Sequence, residues 1–334
     1  MAKVTIKDVA KEAGVSISTV SNALNDVDVL SPDTKAKVLD AAKRLKYIPN
    51  LNGKNLKARK NKTIGLYMNS MEGVFYGLLT DSISKACEMR DYELIIHVTM
   101  NKKRVIRSIL GHNEDGVILL YGDLNGEIEE RVREYDIPAV FLEKEICDNK
   151  ISSLSFDSYG AGRLAARCLI EAGNKNLGYI HGVENTYDDD ERFRGFLDEI
   201  EESRVVFDKK AELKGLFNNE RTFEAVSDYL RNTEGYVDAF FAANDASALG
   251  CLNAIISAGY SVPGDFSVIG CDGIDIGRIV KPALTTVVNP IVEAGKTSIE
   301  LLIGLIDGDD VGRIDRLPTR LEFRETVGAP NKRR

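Results

Sequence analysis

Two groups of residues have types and spacings suited to molecular recognition. The first is the run Ser16-Ile17-Ser18-Thr19-Val20-Ser21-Asn22, followed shortly by Asn25. At helical spacing Val20, Ala23 and Leu24 face inward, which leaves Ser18, Thr19, Ser21, Asn22 and Asn25 outside. Short hydroxyl and amide groups on one helix face suit the phosphates and base edges of a DNA major groove. The second group stands at the ends of apolar, β-rich runs. Phe75-Tyr76 follows the first run, Asp157 follows Leu154-Ser155-Phe156, and Phe217 closes the segment begun by Leu213. Asn244-Asp245 follows Phe240–Ala243, Asp272 follows Val268–Cys271, and Arg192 sits at a helix start. Carboxylates accept hydroxyl hydrogen bonds and aromatic faces stack on flat apolar surfaces, which is what a sugar or a flat polar ring needs. Taken singly, each has a plainer reading: an Asp after a strand caps a helix, and Phe75 or Phe217 fills a core. The run Asp188-Asp189-Asp190-Glu191 reads as a solvated stretch favoured by a helix N-terminus, not as a metal site.

Catalytic chemistry finds little support. No G-x-S-x-G elbow, Walker A loop or G-x-G-x-x-G after a strand occurs, and the only histidines are His97, His112 and His181. The five cysteines lie apart with no CxxC pair, as expected of reduced, mostly buried thiols. No enzyme activity, metal or cofactor is expected. No apolar run approaches the roughly 20 residues of a membrane span, and the N-terminus shows no apolar export segment, so a cytoplasmic protein is expected. The net charge of -8 conceals an asymmetry. Residues 1–62 hold 13 Lys and Arg against 6 Asp and Glu, a local charge of +7, and the remainder carries -15. A basic DNA-reading head on an acidic body has this pattern, as does a flexible basic arm.

The elements that must position these groups are legible. Thr5-Ile6-Lys7-Asp8 opens a first helix as a capping box, with Ile6, Val9, Ala10 and Ala13 inward and Gly14 ending it. Ser16 caps a second helix. Ser31 and Pro32 start a third, whose buried stripe is Val38, Leu39, Ala42 and Leu45. Two short helices around a glycine turn, braced by a third, predict a helix-turn-helix. From Thr63 onward apolar runs alternate with helical stretches: 64–68, 94–98, 116–120, 139–142, 177–180, 239–242 and 267–270. That rhythm predicts doubly wound parallel sheets, with ligands beyond the strands' carboxyl ends.

The stretch Val4–Ser16, then Thr19-Val20-Ser21, Leu24-Asn25 and Tyr47-Ile48-Pro49-Asn50, resembles the head of the lactose-repressor (LacI/GalR) family. The resemblance implies that Ile17, Ser18 and Asn22 read bases. It places Thr5, Ser16, Thr19, Ser21, Asn25, Ser31, Thr34, Tyr47 and Asn50 on phosphates. Asn22 stands where Arg is common in the family, so adenine is favoured over guanine, and Ile17 offers only apolar contact, for instance to a thymine methyl. The following stretch, with Lys54 and Leu56, corresponds to a hinge helix that forms on operator DNA and wedges its leucine into the minor groove. Gly53 replaces the usual Ala there, which weakens the helix by about 0.5–1 kcal/mol.

The body is similar to the periplasmic-binding-protein-like core of the same family, through Asp157, Arg192 with Gly195-Phe196, Ala243-Asn244-Asp245, Val262-Pro263, Val268–Asp272 and Pro282–Val287. By that resemblance Phe75, Tyr76, Asp157, Arg192, Phe217, Asn244, Asp245 and Asp272 line an effector cleft. Ser158 and Gly273 depart from the usual Asn and Asp, and Gly73-Val74 lacks the Asn-Pro that often precedes the aromatics, which implies a reshaped mouth. The expected organisation is an all-α helix-turn-helix head over 1–48, a hinge over 49–62, and an α/β body of two doubly wound parallel-sheet lobes over 63–330. Lobe one takes about 63–158 and 287–319; lobe two takes about 159–286 and 320–330. No heptad-bearing helix follows, so a homodimer is expected rather than a tetramer. The implied function is a repressor that binds operator DNA under control of a sugar-like small molecule, acting as inducer or corepressor. Control by a protein corepressor and a cytoplasmic solute-binding protein are the alternatives.

Overall fold

The structure, a computed structural model, describes residues 4–24, 29–47, 61–111, 114–121, 126–233 and 237–330. The chain divides into two compact units, Met1–Asn61 and Lys62–Arg334.

In the small unit, α1 (Ile6–Ala13), α2 (Ile17–Leu24) and α3 (Pro32–Arg44) each begin at a side-chain cap. The Thr5 amide and hydroxyl both donate to the Asp8 carboxylate, at 2.8 and 2.7 Å. Ser16 Oγ accepts the Thr19 amide at 3.1 Å, and Ser31 Oγ accepts the Thr34 amide at 3.3 Å. Gly14 ends α1 in the left-handed region (φ +67°), with its amide turned back to the Ala10 and Lys11 carbonyls. Val9, Ala13, Val20, Ala23, Val38, Ala41 and Ala42 form the core. The expected stripe of α3 is corrected at one position. Val38, Ala41, Ala42 and Leu45 follow the i, i+3, i+4, i+7 pattern, whereas Leu39 lies about 100° further round and is 45% exposed.

The large unit opens with β1 (Thr63–Met68), α4 (Val74–Met89), β2 (Glu93–Val98), α5 (Lys102–Gly111), β3 (Gly116–Leu120), α6 (Glu127–Glu134), β4 (Ala139–Leu142) and β5 (Ile151–Phe156). It continues with α7 (Ser158–Glu171), β6 (Asn176–His181), α8 (Tyr187–Ser203), β7 (Val206–Lys214), α9 (Asn219–Asn232), β8 (Ala239–Ala242), α10 (Asp245–Ser257) and β9 (Ser267–Asp272). Last come α11 (Ile276–Ile279), β10 (Thr285–Val288), α12 (Ile291–Asp307), β11 (Ile314–Leu317) and β12 (Arg320–Glu322). One sheet runs β11-β5-β4-β3-β1-β2, with every pairing parallel. The other runs β12-β10-β9-β8-β6-β7, parallel except where β12 meets β10. Interior strands such as β4 and β8 are buried on both faces because helices cover both sides of a parallel sheet. The chain passes between sheets after Phe156, after Val288 and after Leu317.

Two contacts hold the elements around the strand ends. On α7, Gly162 lies against the backbone of α8, and a Cβ there would stand 2.0 Å from the Arg192 carbonyl oxygen. Gly195 on α8 is its counterpart, 2.0 Å by the same measure from the Tyr159 carbonyl. The second contact is Asp245, the first residue of α10, which is fully buried. Its carboxylate accepts the Gly273 and Ile274 amides at 2.8 Å each and the Thr286 hydroxyl at 2.5 Å, tying α10 to the turn after β9 and to β10. Burial nevertheless raises its pKa to about 7, against the lowering effect of those donors.

Gly162→Ala should therefore destabilise the chain by roughly 1–3 kcal/mol, because backbone cannot yield as a flexible side chain does. Gly77→Ala on α4, where nothing lies within 4 Å, should be stabilising by about 0.5–1 kcal/mol. Thermal melts of the two variants test the contrast, and equal effects would refute it. For Asp245 the folded pKa lies above the unfolded value of about 3.9, so its proton contributes stability below pH 4 that is lost as pH rises through about 7. Asp245→Asn mimics the protonated acid without titrating. Its stability relative to wild type should improve by on the order of 2–4 kcal/mol between pH 4 and pH 8, measured by denaturant unfolding.

Candidate nucleic-acid interface and ligand cavity

The helix α2 presents Ile17, Ser18, Ser21 and Asn22 on neighbouring turns of one face, while Val20 and Ala23 are buried opposite. Ile17 is 45% exposed, a large apolar side chain left in water on a unit that buries few. Ser16 Oγ lies 2.7 Å from Ser18 Oγ and 2.8 Å from Thr19 Oγ1, so the hydroxyls at the start of α2 already share hydrogen bonds. Ser31 and Thr34 form a similar pair at 2.8 Å, and Thr5 is held by Asp8. Tyr47 is half-buried against the core of the unit. These positions offer donors and acceptors at helix starts, where phosphate is favoured. The remaining expected contacts, Asn25, Asn50, Lys54 and Leu56, lie outside the described residues, as does Gly53.

In the large unit a cavity of about 570 Å³ opens at the carboxyl ends of the strands of both sheets, the place where open parallel sheets take ligands. Six of the eight expected residues line it: Phe75, Tyr76, Arg192, Phe217, Asn244 and Asp272. Arg192, on α8, is 2% exposed. Its Nη1 donates to the Ala243 carbonyl at 2.8 Å, and its Nη2 donates to Asp188 at 3.4 Å and to Ser158 at 3.5 Å. Its Nε is buried with no hydrogen-bond partner among the described residues. Asp272 ends β9 with φ +115° and accepts from Asn289 Nδ2 at 3.1 Å. Burial holds its carboxyl well above the usual range; Asp245 and Asp188 push the same way and Arg192 opposes. Asn244 caps α10 through Ser247 and donates to the Phe217 carbonyl at 3.3 Å. That bond steadies a left-handed Phe217 (φ +57°), whose ring lies where a Cβ on Gly182 would be 2.0 Å away. Phe75 meets Tyr76 and Phe156 edge to face, at 5.5 and 6.4 Å.

Two expectations are corrected. Asp157 is not in the lining: it caps α7, its Oδ1 accepting the Gly160 amide at 3.0 Å. Asp245 is not in the lining either: its carboxylate is taken up by three donors in the clamp described above. The run 188–191 is not a uniformly solvated stretch either. Asp188 and Asp190 line the cavity, and Asp189 is 2% exposed, bonded to the Tyr179 hydroxyl at 2.8 Å, His181 Nδ1 at 2.9 Å and the Gly182 amide at 3.1 Å. The spacing of Asp188 and Arg192, one helical turn apart, carried that signal. Glu143 was missed although it directly follows β4, much as Asn244 stands two residues after β8. It lines the cavity in a left-handed conformation (φ +52°), with Oε1 accepting the Phe156 amide at 3.3 Å and Oε2 buried without a partner among the described residues. Burial lifts its carboxyl well above the usual range, with Asp188 adding to the shift and Arg192 opposing it.

Among the described residues no group of His, Cys, Asp and Glu could hold a metal, and no helix is long and apolar enough to cross a membrane. Residues 5–50 match the family model described as bacterial regulatory proteins, lacI family, and residues 166–327 match the periplasmic binding protein-like domain. The chain is 32% identical to the probable HTH-type transcriptional repressor ExuR of Bacillus subtilis (strain 168), over 96% of both chains. A solved lac repressor dimer bound to operator and the anti-inducer ONPF superposes with a TM-score of 0.83 at 25% identity, over 98% of this chain and 100% of that one. A complex of the transcriptional regulator CelR with cellobiose superposes at 0.74 with 26% identity, covering 97% of this chain and 100% of that one. A helix-turn-helix head and a two-sheet body with a cavity at its strand ends therefore stand in one chain whose full length follows these regulators: it belongs to the lacI family of bacterial regulatory proteins.

Proposed function

We propose that this chain is a sequence-specific DNA-binding transcription regulator, a repressor, whose operator affinity is set by a small sugar-like molecule in the cavity. One coexistence supports the reading. A helix with an exposed Ile17 and a hydroxyl and amide face shares the chain with a cavity lined by carboxylates, a guanidinium and aromatic rings. Relatives of known structure hold cellobiose, or an operator together with an anti-inducer, and the proposal extends that pairing here. Residues 1–48 read DNA, 49–62 act as the hinge with Leu56 at the minor groove and Lys54 at phosphate, and 63–330 bind ligand and dimerise. The protein works in the cytoplasm as a homodimer presenting two heads to a pseudo-palindromic operator, and it catalyses no reaction. Ligand and operator affinities are coupled by one factor in both directions.

An operator selected from a random DNA pool by the full chain tests the first half. Its affinity should fall with salt along a log–log slope of several units, and a flat response refutes DNA binding. Asn22→Arg should shift preference at one base pair in each half-site from adenine toward guanine, by about 1–3 kcal/mol. Thermal shifts across neutral, anionic and amine-bearing sugars and nucleobases test the second half. A true effector stabilises wild type, loses that effect in Phe217→Ala, and changes operator affinity; a ligand that leaves operator affinity unchanged is not one.

A further inference from the structure

The charges around the cavity do not balance. Three carboxylates, Glu143, Asp188 and Asp272, surround one guanidinium, Arg192, and all four line the space. The guanidinium already serves the Ala243 carbonyl, Ser158 and Asp188. The other cation in the lining, Lys144, is paired with Glu129, and Glu145 is paired with Arg316. Two further acidic residues of the lining, Glu72 before α4 and Asp190 on α8, are exposed. An anionic ligand therefore meets like charge with no uncommitted cation, and like charges in a partly dry site repel strongly. Three buried polar atoms of the lining lack partners among the described residues and define what would fit. Glu143 Oε2 and Asn289 Oδ1 each require a donor, and Arg192 Nε requires an acceptor. A neutral polyol meets the hydrogen-bonding need but leaves the excess negative charge uncompensated.

Resting on the regulatory reading above, we infer that the cavity's ligand is a hydroxylated primary amine of the amino-sugar class. Its ammonium is received by Glu143 within the carboxylate set, and its ring and hydroxyl oxygens are turned toward Arg192. Phe75, Tyr76 and Phe217 supply aromatic faces that favour both a sugar ring and a nearby cation. Burial raises the carboxyls of Glu143 and Asp272, and neighbouring carboxylates add to the shift, so a cation placed beside them would favour their ionised forms.

Calorimetric titration of the full chain at pH 7 tests it, using glucosamine, galactosamine and mannosamine. The matched neutral hexoses, N-acetyl hexosamines and hexuronates are run beside them. One free amine should bind at least tenfold tighter than its neutral, acetylated and acidic counterparts. Glu143→Gln should reduce that binding at least tenfold, and Asp272→Asn, a second charge-removing variant, should weaken it in the same direction; circular dichroism checks that both are folded. A neutral sugar or hexuronate binding as tightly as any amine overturns the amine assignment while leaving ligand control intact. Unchanged amine affinity in a folded Glu143→Gln also overturns it. Failure of every sugar in every charge class overturns both this assignment and the sugar-controlled part of the proposed function.

Discussion

A guanidinium with 2% exposure sits where five parts of the large unit converge, and its placement constrains the rest. Burying such a charge is strongly unfavourable unless partners surround it, so each neighbouring element must bring one. The carbonyl after β8, the start of α7 and the first turn of α8 do so directly. Asp272 at the end of β9 and Glu143 after β4 act on it through charge. The arginine reaches this point only because α7 and α8 approach until Gly162 faces the Arg192 carbonyl and Gly195 faces that of Tyr159. Helix spacing and site electrostatics are thus one constraint.

The cavity rim also concentrates unusual backbone. Glu143, Asn185, Phe217 and Asp272 all have positive φ and all line the cavity. A non-glycine residue in that region costs on the order of 1–3 kcal/mol and persists only where surroundings over-determine it. Here the surroundings are visible: Asn244 holds the Phe217 carbonyl, Asn289 holds Asp272, and the Phe156 amide holds Glu143. Those bonds turn side chains at strand ends into the cavity instead of over the neighbouring helices.

The small unit solves a different problem with little apolar surface. Its core is made largely of alanine and valine, so its helices depend on caps: Thr5 with Asp8, Ser16 with Thr19, Ser31 with Thr34. The hydroxyls at these helix starts are the ones the proposed function assigns to a phosphate backbone. In that reading capping and recognition use one set of groups, and short polar residues cluster where the helices begin.

Much of this organisation was legible in the sequence, because local chemistry determines it. Caps, glycine stops and helical periodicity marked α1, α2 and α3, and apolar runs marked β1–β4, β6, β8 and β9, most of them buried on both faces of a parallel sheet, which leaves an uninterrupted signature. The rule that ligands meet strand carboxyl ends drew attention to Phe75, Tyr76, Arg192, Phe217, Asn244 and Asp272, all of which line the cavity. What the sequence could not decide was the direction of side chains set by distant partners. Asp157 and Asp245 follow strands as Asp272 does, yet Gly160 draws one into a cap, and Gly273, Ile274 and Thr286 draw the other into a clamp. Asp188 and Glu143 gained their place only when α8 and β4 were brought to the same cavity. Residue type and spacing act along a few neighbours, whereas hydrogen-bond partners and buried charge act across the fold, so only the tertiary structure could assign them.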